Sequence, residues 1–269
     1  MKVSIAMATF NGDKYLQEQL SSFVAQTRQP DELVVTDDGS TDDTLQVLES
    51  FAANAPFLVR IYRNERNLGY ARNFDRALSL CEGDVVFLSD QDDIWFKEKI
   101  SRTLAFAGVH AKALLFMNDA ELTLGDGTPL ALTKLKQTLS LGLPDTAFTT
   151  GCCMALRREL LDLALPVPSA SFVHDTWLNK LALVLDAKKI VPEVLQYYRR
   201  HGSNTSDSLG SRTVRQNQVD LVRAYKGSDS RPYALKRLEQ LEALKQRLEE
   251  WSFESKMGES VRALEQERT

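Results

Sequence analysis

Val85-Val86-Phe87-Leu88-Ser89-Asp90-Gln91-Asp92-Asp93-Ile94-Trp95 decides the fold: four apolar residues run into three carboxylates within four positions. A short continuous apolar run of this kind reads as a strand buried on both faces of a parallel sheet. Its carboxylates then fall just past the C-terminal end, where open α/β sheets bind ligands. Three neighbouring anions repel one another, so the cluster calls for a cation. Hard oxygen donors at high charge select Mg²⁺ or Mn²⁺, which are held through few protein carboxylates together with phosphates of a ligand. A solvated acidic turn is the alternative for so short a motif.

Upstream, the pattern repeats. Val3 to Ala8 reads as a strand stopped by Thr9-Phe10-Asn11-Gly12, and Asp13 is placed to cap a helix carrying Tyr15, Leu16, Leu20 and Phe23. Leu33 to Thr36 is a second strand, ending in Asp37-Asp38-Gly39-Ser40, with Thr41 or Asp42 capping the helix of Leu45, Leu48 and Phe51. Phe57 to Tyr62 gives a third strand, and Tyr70 to Leu80 a third helix. Alternation of strand and helix implies right-handed crossovers and a parallel sheet. Each polar cluster alone is ordinary turn chemistry. Thr9-Phe10-Asn11, Asp37 to Ser40 and Asp90 to Asp93 together define one sheet edge, read here as a nucleotide pocket.

Beyond Ala111 the regularity loosens. Ala113 to Met117 is a strand, Asp126-Gly127 turns the chain in a hairpin, and residues 130 to 146 read as a loop over the site. Thr149 to Leu156 reads as a strand opened by Gly151, and a helix carrying Trp177, Leu178, Leu181, Ala182 and Leu185 follows His174-Asp175. Ile190-Val191-Pro192 and Val194 to Tyr198 read as two short edge strands. Past residue 211, Leu235, Leu238, Leu241, Leu244 and Leu248 recur at helical spacing among charges, with a break at Gly227 to Pro232. Such a stripe usually covers its own domain; a partner helix or an anionic membrane surface is the alternative.

Composition narrows the class. The 269 residues are 43% apolar and 26% charged, enough for a sizeable core. A net charge of −4 carries no nucleic-acid footprint. Three cysteines, two of them the adjacent Cys152 and Cys153, form no disulfide framework and favour a reducing compartment. No window reaches the ~18 apolar residues of a membrane span, and Met1 to Ala8 has no cleavable leader pattern. The expectation is a cytoplasmic chain.

Four stretches in order carry a resemblance: Val3 to Asn11, Val34 to Asp42, Asn67-Leu68-Gly69-Tyr70-Ala71-Arg72-Asn73, and Asp90-Gln91-Asp92-Asp93. Over about residues 1 to 205 the chain resembles a family 2 glycosyltransferase of the GT-A fold. Gly151-Cys152-Cys153-Met154 and Tyr198 to Asn204 resemble its rhamnosyltransferase-like branch. The resemblance implies an α/β domain over residues 1–210, a Rossmann-like, mostly parallel sheet flanked by helices. Residues 1–110 would form the nucleotide-sugar half and 111–210 the acceptor half, with a C-terminal helical extension over 211–269. It implies transfer from a nucleotide-diphosphate sugar, with dTDP-rhamnose leading and UDP-hexoses as alternatives, to a glycan or lipid-linked glycan of a bacterial surface polysaccharide. The extension would allow peripheral membrane contact.

By the same resemblance Thr9 and Asp38 contact the nucleobase, Asn11 supports their loop, and Arg72 contacts base or phosphate or is a surface ion-pair residue. Asp90 and Asp92 form the Asp-x-Asp element for ribose and metal (Mn²⁺ or Mg²⁺), and Asp93 shares the metal. Inverting transfer needs a base for the acceptor hydroxyl. Asp175 matches the family position, at the start of a helix after a Gly-containing strand; its alternative role is a helix cap. The family's second acid before that Asp is His174 here. His201 matches a late histidine that completes some metal sites, and otherwise is a solvated loop residue. Two rivals stand beside this reading. Apolar residues followed by Asp-x-Asp also mark haloacid-dehalogenase-type phosphatases, where that motif opens the domain. An inactive GT-A module that binds through its tail is the other.

Overall fold

The computed structural model describes residues 1–168, 173–202, 204, 213–217 and 235–252. Strands β1 (Val3–Thr9), β2 (Glu32–Asp37), β3 (Leu58–Arg63) and β4 (Val85–Ser89) alternate with helices α1 (Asp13–Val24), α2 (Thr44–Ala52) and α3 (Tyr70–Leu80). Then come β5 (Ile94–Trp95), α4 (Lys99–Val109), β6 (Leu115–Leu124), β7 (Pro129–Thr133) and α5 (Lys134–Ser140). A 3-10 turn at Gly151–Cys153 leads into β8 (Met154–Arg157), α6 (Arg158–Ala164), α7 (His174–Val184) and β9 (Lys188–Arg200). Residues 235–252 form a further helix.

One nine-stranded sheet runs in the order β3-β2-β1-β4-β8-β6-β9-β5, with β7 on β6. β1 to β4 pair in parallel, as expected for the first half. The second half mixes directions: β8 is antiparallel to β4 and β6, whereas β9 is parallel to β6. Strand order reverses between β1 and β4, the kind of switch point at which open α/β sheets bind ligands beyond the strand ends.

Alternation along β4 explains its apolar run. Val86 and Leu88 face one core with α3, α6 and α7, while Val85 and Phe87 face another with α1 and α4. Both faces are therefore covered, and no residue of β4 is exposed. Leu244 of the 235–252 helix joins the first of these cores.

Four local expectations are corrected. Residues 130 to 146 are not an irregular loop: β7 closes the Asp126-Gly127 hairpin and Thr133 caps α5 by accepting from the Lys136 N–H. Strand structure starts at Met154 rather than Thr149, after the 3-10 turn. The helix caps fall on Gly12 and Asp43, one residue off those expected for α1 and α2. The two edge strands around Pro192 are one 13-residue strand, β9, inside the sheet between β6 and β5. Its register against β6 jumps from Val191 to Val194, so Pro192, which has no N–H to give, sits in an irregularity of the ladder.

Candidate active site

Parallel pairing aligns the ends of β1, β2 and β4, so Thr9, Asp37 and Ser89 close the sheet on one edge. The chain beyond them is tied together by its own polar groups. Gln91 accepts from the Phe10 N–H at 2.9 Å and donates back to its carbonyl at 3.1 Å. A Cβ on Gly12 would collide with that amide, so a side chain there would displace Gln91 from Phe10. Asn11, in the left-handed region at φ 46°, accepts from the Thr41 N–H at 2.9 Å and donates its own N–H to Ser40 Oγ.

Asp38 is 2% exposed, and its carboxylate accepts from Asn64 Nδ2 (2.7 Å), Leu68 N (2.8 Å) and Gly69 N (2.8 Å). It organises the 67–69 turn; of about four acceptor positions on a carboxylate, three are filled. The Thr9 hydroxyl donates to Asp37 at 3.0 Å, and its carbonyl accepts from the Asp38 N–H at 2.9 Å and from Asn73 Nδ2 at 3.2 Å. Arg72 donates to the Val167 carbonyl at 2.7 Å and to Asp75 at 3.2 Å, so it ties α3 to the 165–167 segment.

The acidic stretch divides into two arrangements. Asp90, Asp93 and the Cys152 thiol each bring one ligand atom into a space where all three lie within 4.8 Å of one another. Asp92 instead meets His201 Nε2 at 2.7 Å and accepts from Asn204 Nδ2 at 3.2 Å. Asn204 Nδ2 also lies 3.3 Å from His201 Nε2, so Asp92, His201 and Asn204 form one polar cluster. The His201 ring lies 4.7 Å from that of Tyr15, tilted by 33°, and the Tyr15 ring also meets the Arg199 guanidinium at 4.6 Å and the Lys14 ammonium at 4.9 Å. Asp92, His201 and Asp90 are thus neighbours across 111 residues of chain, although His201 stays outside the three-atom group.

Electrostatics in this pocket are costly without a cation. Burial, then the nearby Asp93 and Asp92 charges, push the Asp90 carboxyl well above its ordinary range. Burial and Asp92 push Asp93 up to about 7. Carboxylates held together under such strain fit a hard divalent ion, which would remove the penalty. Burial first, followed by its hydrogen bond with Cys153, pushes the Cys152 thiol well up, so it is a weak partner for a hard ion.

Three supporting residues were given no role from the sequence: Lys99, Gln196, and Cys152, which was named there only within the Gly151 to Met154 resemblance. Gln196 Nε2 donates to Asp93 at 2.9 Å and to Cys152 Sγ at 3.2 Å. Lys99, with no exposure, donates to the Cys152 carbonyl at 2.8 Å and to Gln196 Oε1, with its ammonium 4.0 Å over the Trp95 ring. Burial lowers its pKa to about 8. One sequence signal existed: Lys99 lies at the same helical phase as Thr103 and Ala107, on the buried face of α4.

Asp175 opens α7, half-buried, and accepts from the Thr176 N–H at 2.5 Å. Burial, then the Asp175 charge, raises the Tyr70 pKa, and the same charge adds weakly to the rise at Asp90. Gly151 permits the close approach of α7: a Cβ there would sit 3.1 Å from His174 Nε2 and 3.6 Å from Asp175 Cβ. His174 is buried, stacks on Phe74 at 4.2 Å, and is held neutral by burial.

A parallel four-stranded half, a switch point and an acidic cluster beyond β4 define a GT-A glycosyltransferase. Residues 4–163 match the model of glycosyl transferase family 2, and the chain belongs to that family. An uncharacterised glycosyltransferase of Nostoc is 29% identical over 230 residues, 80% of this chain and 70% of the relative. The dTDP-rhamnosyl transferase RfbG of Shigella flexneri is 37% identical over 102 residues, 36% of this chain and 35% of its own length. Among solved structures, a TarS fragment of S. aureus in complex with UDP superposes with a TM-score of 0.61 at 25% identity, covering 74% of this chain. The chain spans 61% of that solved fragment. Family membership removes the phosphatase alternative.

Proposed function

We propose that this chain is an inverting, metal-dependent glycosyltransferase that moves a sugar from a nucleoside-diphosphate donor to a hydroxyl of a glycan or lipid-linked glycan. The donor's base and ribose would lie against Thr9, Asn11, Asp38 and Asp90. Asp90, Asp92 and Asp93 would hold Mn²⁺ or Mg²⁺, with His201 fixing Asp92. The chemistry such an ion supplies is neutralisation of the charge that develops on the diphosphate leaving group. Asp175 would take the acceptor proton as the hydroxyl attacks. Partial similarity to a dTDP-rhamnosyl transferase favours dTDP-rhamnose, with UDP-hexoses as the other donor class. Surface-polysaccharide assembly at the inner face of the membrane suits such an acceptor. No helix among the described residues is long and apolar enough to cross a membrane, so that contact would be peripheral.

The observation that carries this reading is the acidic group of Asp90 and Asp93 around Cys152, with Asp175 packed against the adjoining Gly151, where a Cβ would lie 3.6 Å from that of Asp175. Asp175→Asn keeps the shape and an acceptor oxygen, but the amide takes no proton at neutral pH. Its transfer rate should fall by about 10² to 10⁴ with donor binding retained. A mutant with wild-type turnover on saturating acceptor would assign Asp175 to the first turn of α7 alone, where it accepts from the Thr176 N–H and Val173 is the N-cap.

A further inference from the structure

Lys99 is the most buried cation of the site, yet no hydrogen bond joins it to a carboxylate among the described residues; its hydrogen-bond partners are the Cys152 carbonyl and Gln196 Oε1. An ammonium group in that position is costly, and the apolar face of a helix could be filled by Leu or Met without the cost. Its effect on Gln196 gives it a use. An ammonium only donates, so Gln196, itself unexposed, must turn its oxygen to Lys99. Its amide nitrogen is thereby forced the other way, onto Asp93 Oδ2 at 2.9 Å. The Arg199 backbone N–H holds the other oxygen of Asp93 at 3.2 Å. Both donors reach Asp93 from β9, and the strand is set in place by pairing Gln196 with Trp95 of β5. Without Lys99 the amide oxygen loses its donor, and only the Nε2 contacts to Asp93 and Cys152 Sγ hold the side chain in place.

We propose that Lys99 is a positioning residue which, through the fixed amide of Gln196, orients the Asp93 carboxylate toward the divalent-cation site it shares with Asp90. This rests on the metal-dependent reading above. It differs from a purely structural role because it predicts a loss of cation affinity in folded protein.

The test uses the full chain with Mn²⁺ alone as probe, reading free Mn²⁺ by electron paramagnetic resonance and folding by circular dichroism and thermal unfolding. Lys99→Met keeps the volume and removes the donor to Gln196. Gln196→Met leaves Lys99 on Cys152 and Trp95 but removes the donor to Asp93. Each should weaken Mn²⁺ binding about 10- to 100-fold, the usual effect of removing a partner that orients a metal ligand. Leu181→Ala, in the core on the other face of the sheet, is the matched control; it should lower thermal stability and leave Mn²⁺ affinity unchanged. Folded Lys99→Met and Gln196→Met proteins that bind Mn²⁺ within about twofold of wild type would overturn the proposal. So would unfolding of both variants, which would make the pair structural. Wild-type protein that binds no Mn²⁺ would remove the metal reading itself, and the inference with it.

Discussion

At the residue scale, Asp93 shows what burial does to an acid that must later carry charge. Its folded pKa, about 7, lies above the unfolded carboxylate value. The metal-free folded chain therefore holds this proton more tightly than the unfolded chain does between about pH 4 and pH 7. This contribution to stability is intact below the unfolded value and is lost as pH climbs through 7. Thermal unfolding of metal-free protein should thus give a midpoint that rises on acidification from pH 8 to 6, and Asp93→Asn should flatten that rise. An identical slope in wild type and mutant would show that Asp93 does not titrate in this window. The acids themselves were legible in the sequence, since three carboxylates at the end of an apolar strand repel one another unless a cation joins them. The cradle beneath them was not. Lys99, Cys152 and Gln196 are distant in sequence, and each alone looks ordinary; only the pairing of β5 with β9 brings Gln196 under Asp93. Asp38 is a different lesson. Its position was legible, but three of its acceptor positions serve the chain's own turn, which motif spacing cannot reveal.

At the scale of elements, the site depends on two close approaches. One is β9, which brings Gln196 and Arg199 to the acids, with His201 directly after it. Reading Pro192 as a strand end split this element in two, because a bulge that absorbs a proline leaves no trace in periodicity. The other is the 3-10 turn against the N-terminus of α7. Gly151 there has His174 and Asp175 directly above its missing side chain. Gly151→Val should push the start of α7 away from the pocket and lower the transfer rate by about 10² while donor binding changes little, because misplacement of about 1 Å costs that much. Steady-state kinetics of the variant, with KM for donor and acceptor measured separately, checks this. An unaltered rate would mean that α7 does not have to sit this close.

At the scale of the whole molecule, the sheet separates two cores, and the 235–252 helix closes one of them. Leu244 is buried in that core, and Arg247 donates to the Leu165 carbonyl at 2.9 Å and to the Pro166 carbonyl at 3.0 Å. The apolar stripe is only partly used in this way, since Leu235, Leu238 and Leu241 remain exposed. Gly227 to Pro232, where the tail was expected to break, lies outside the described residues. Deleting residues 232 to 269 should therefore lower the thermal midpoint. A truncated chain of unchanged stability that no longer sediments with anionic liposomes would assign the stripe to a membrane surface instead. The parallel half of the sheet was readable because each strand there holds a short apolar run and each helix carries one apolar face. The second half was not, because its strands mix directions and its longest, β9, is interrupted at Pro192.

The central claim is that the sheet edge beyond β1, β2 and β4 binds a nucleoside diphosphate through a divalent cation on the Asp90–Asp93 cluster. Calorimetric titration of the purified chain with UDP and dTDP, in Mn²⁺ and again in EDTA, tests it directly, with Asp92→Ala beside the wild type. Binding of at least one nucleotide in Mn²⁺ is predicted, lost in EDTA and lost in Asp92→Ala while circular dichroism stays unchanged. Equal binding with and without the metal, or undiminished binding by the mutant, would contradict it.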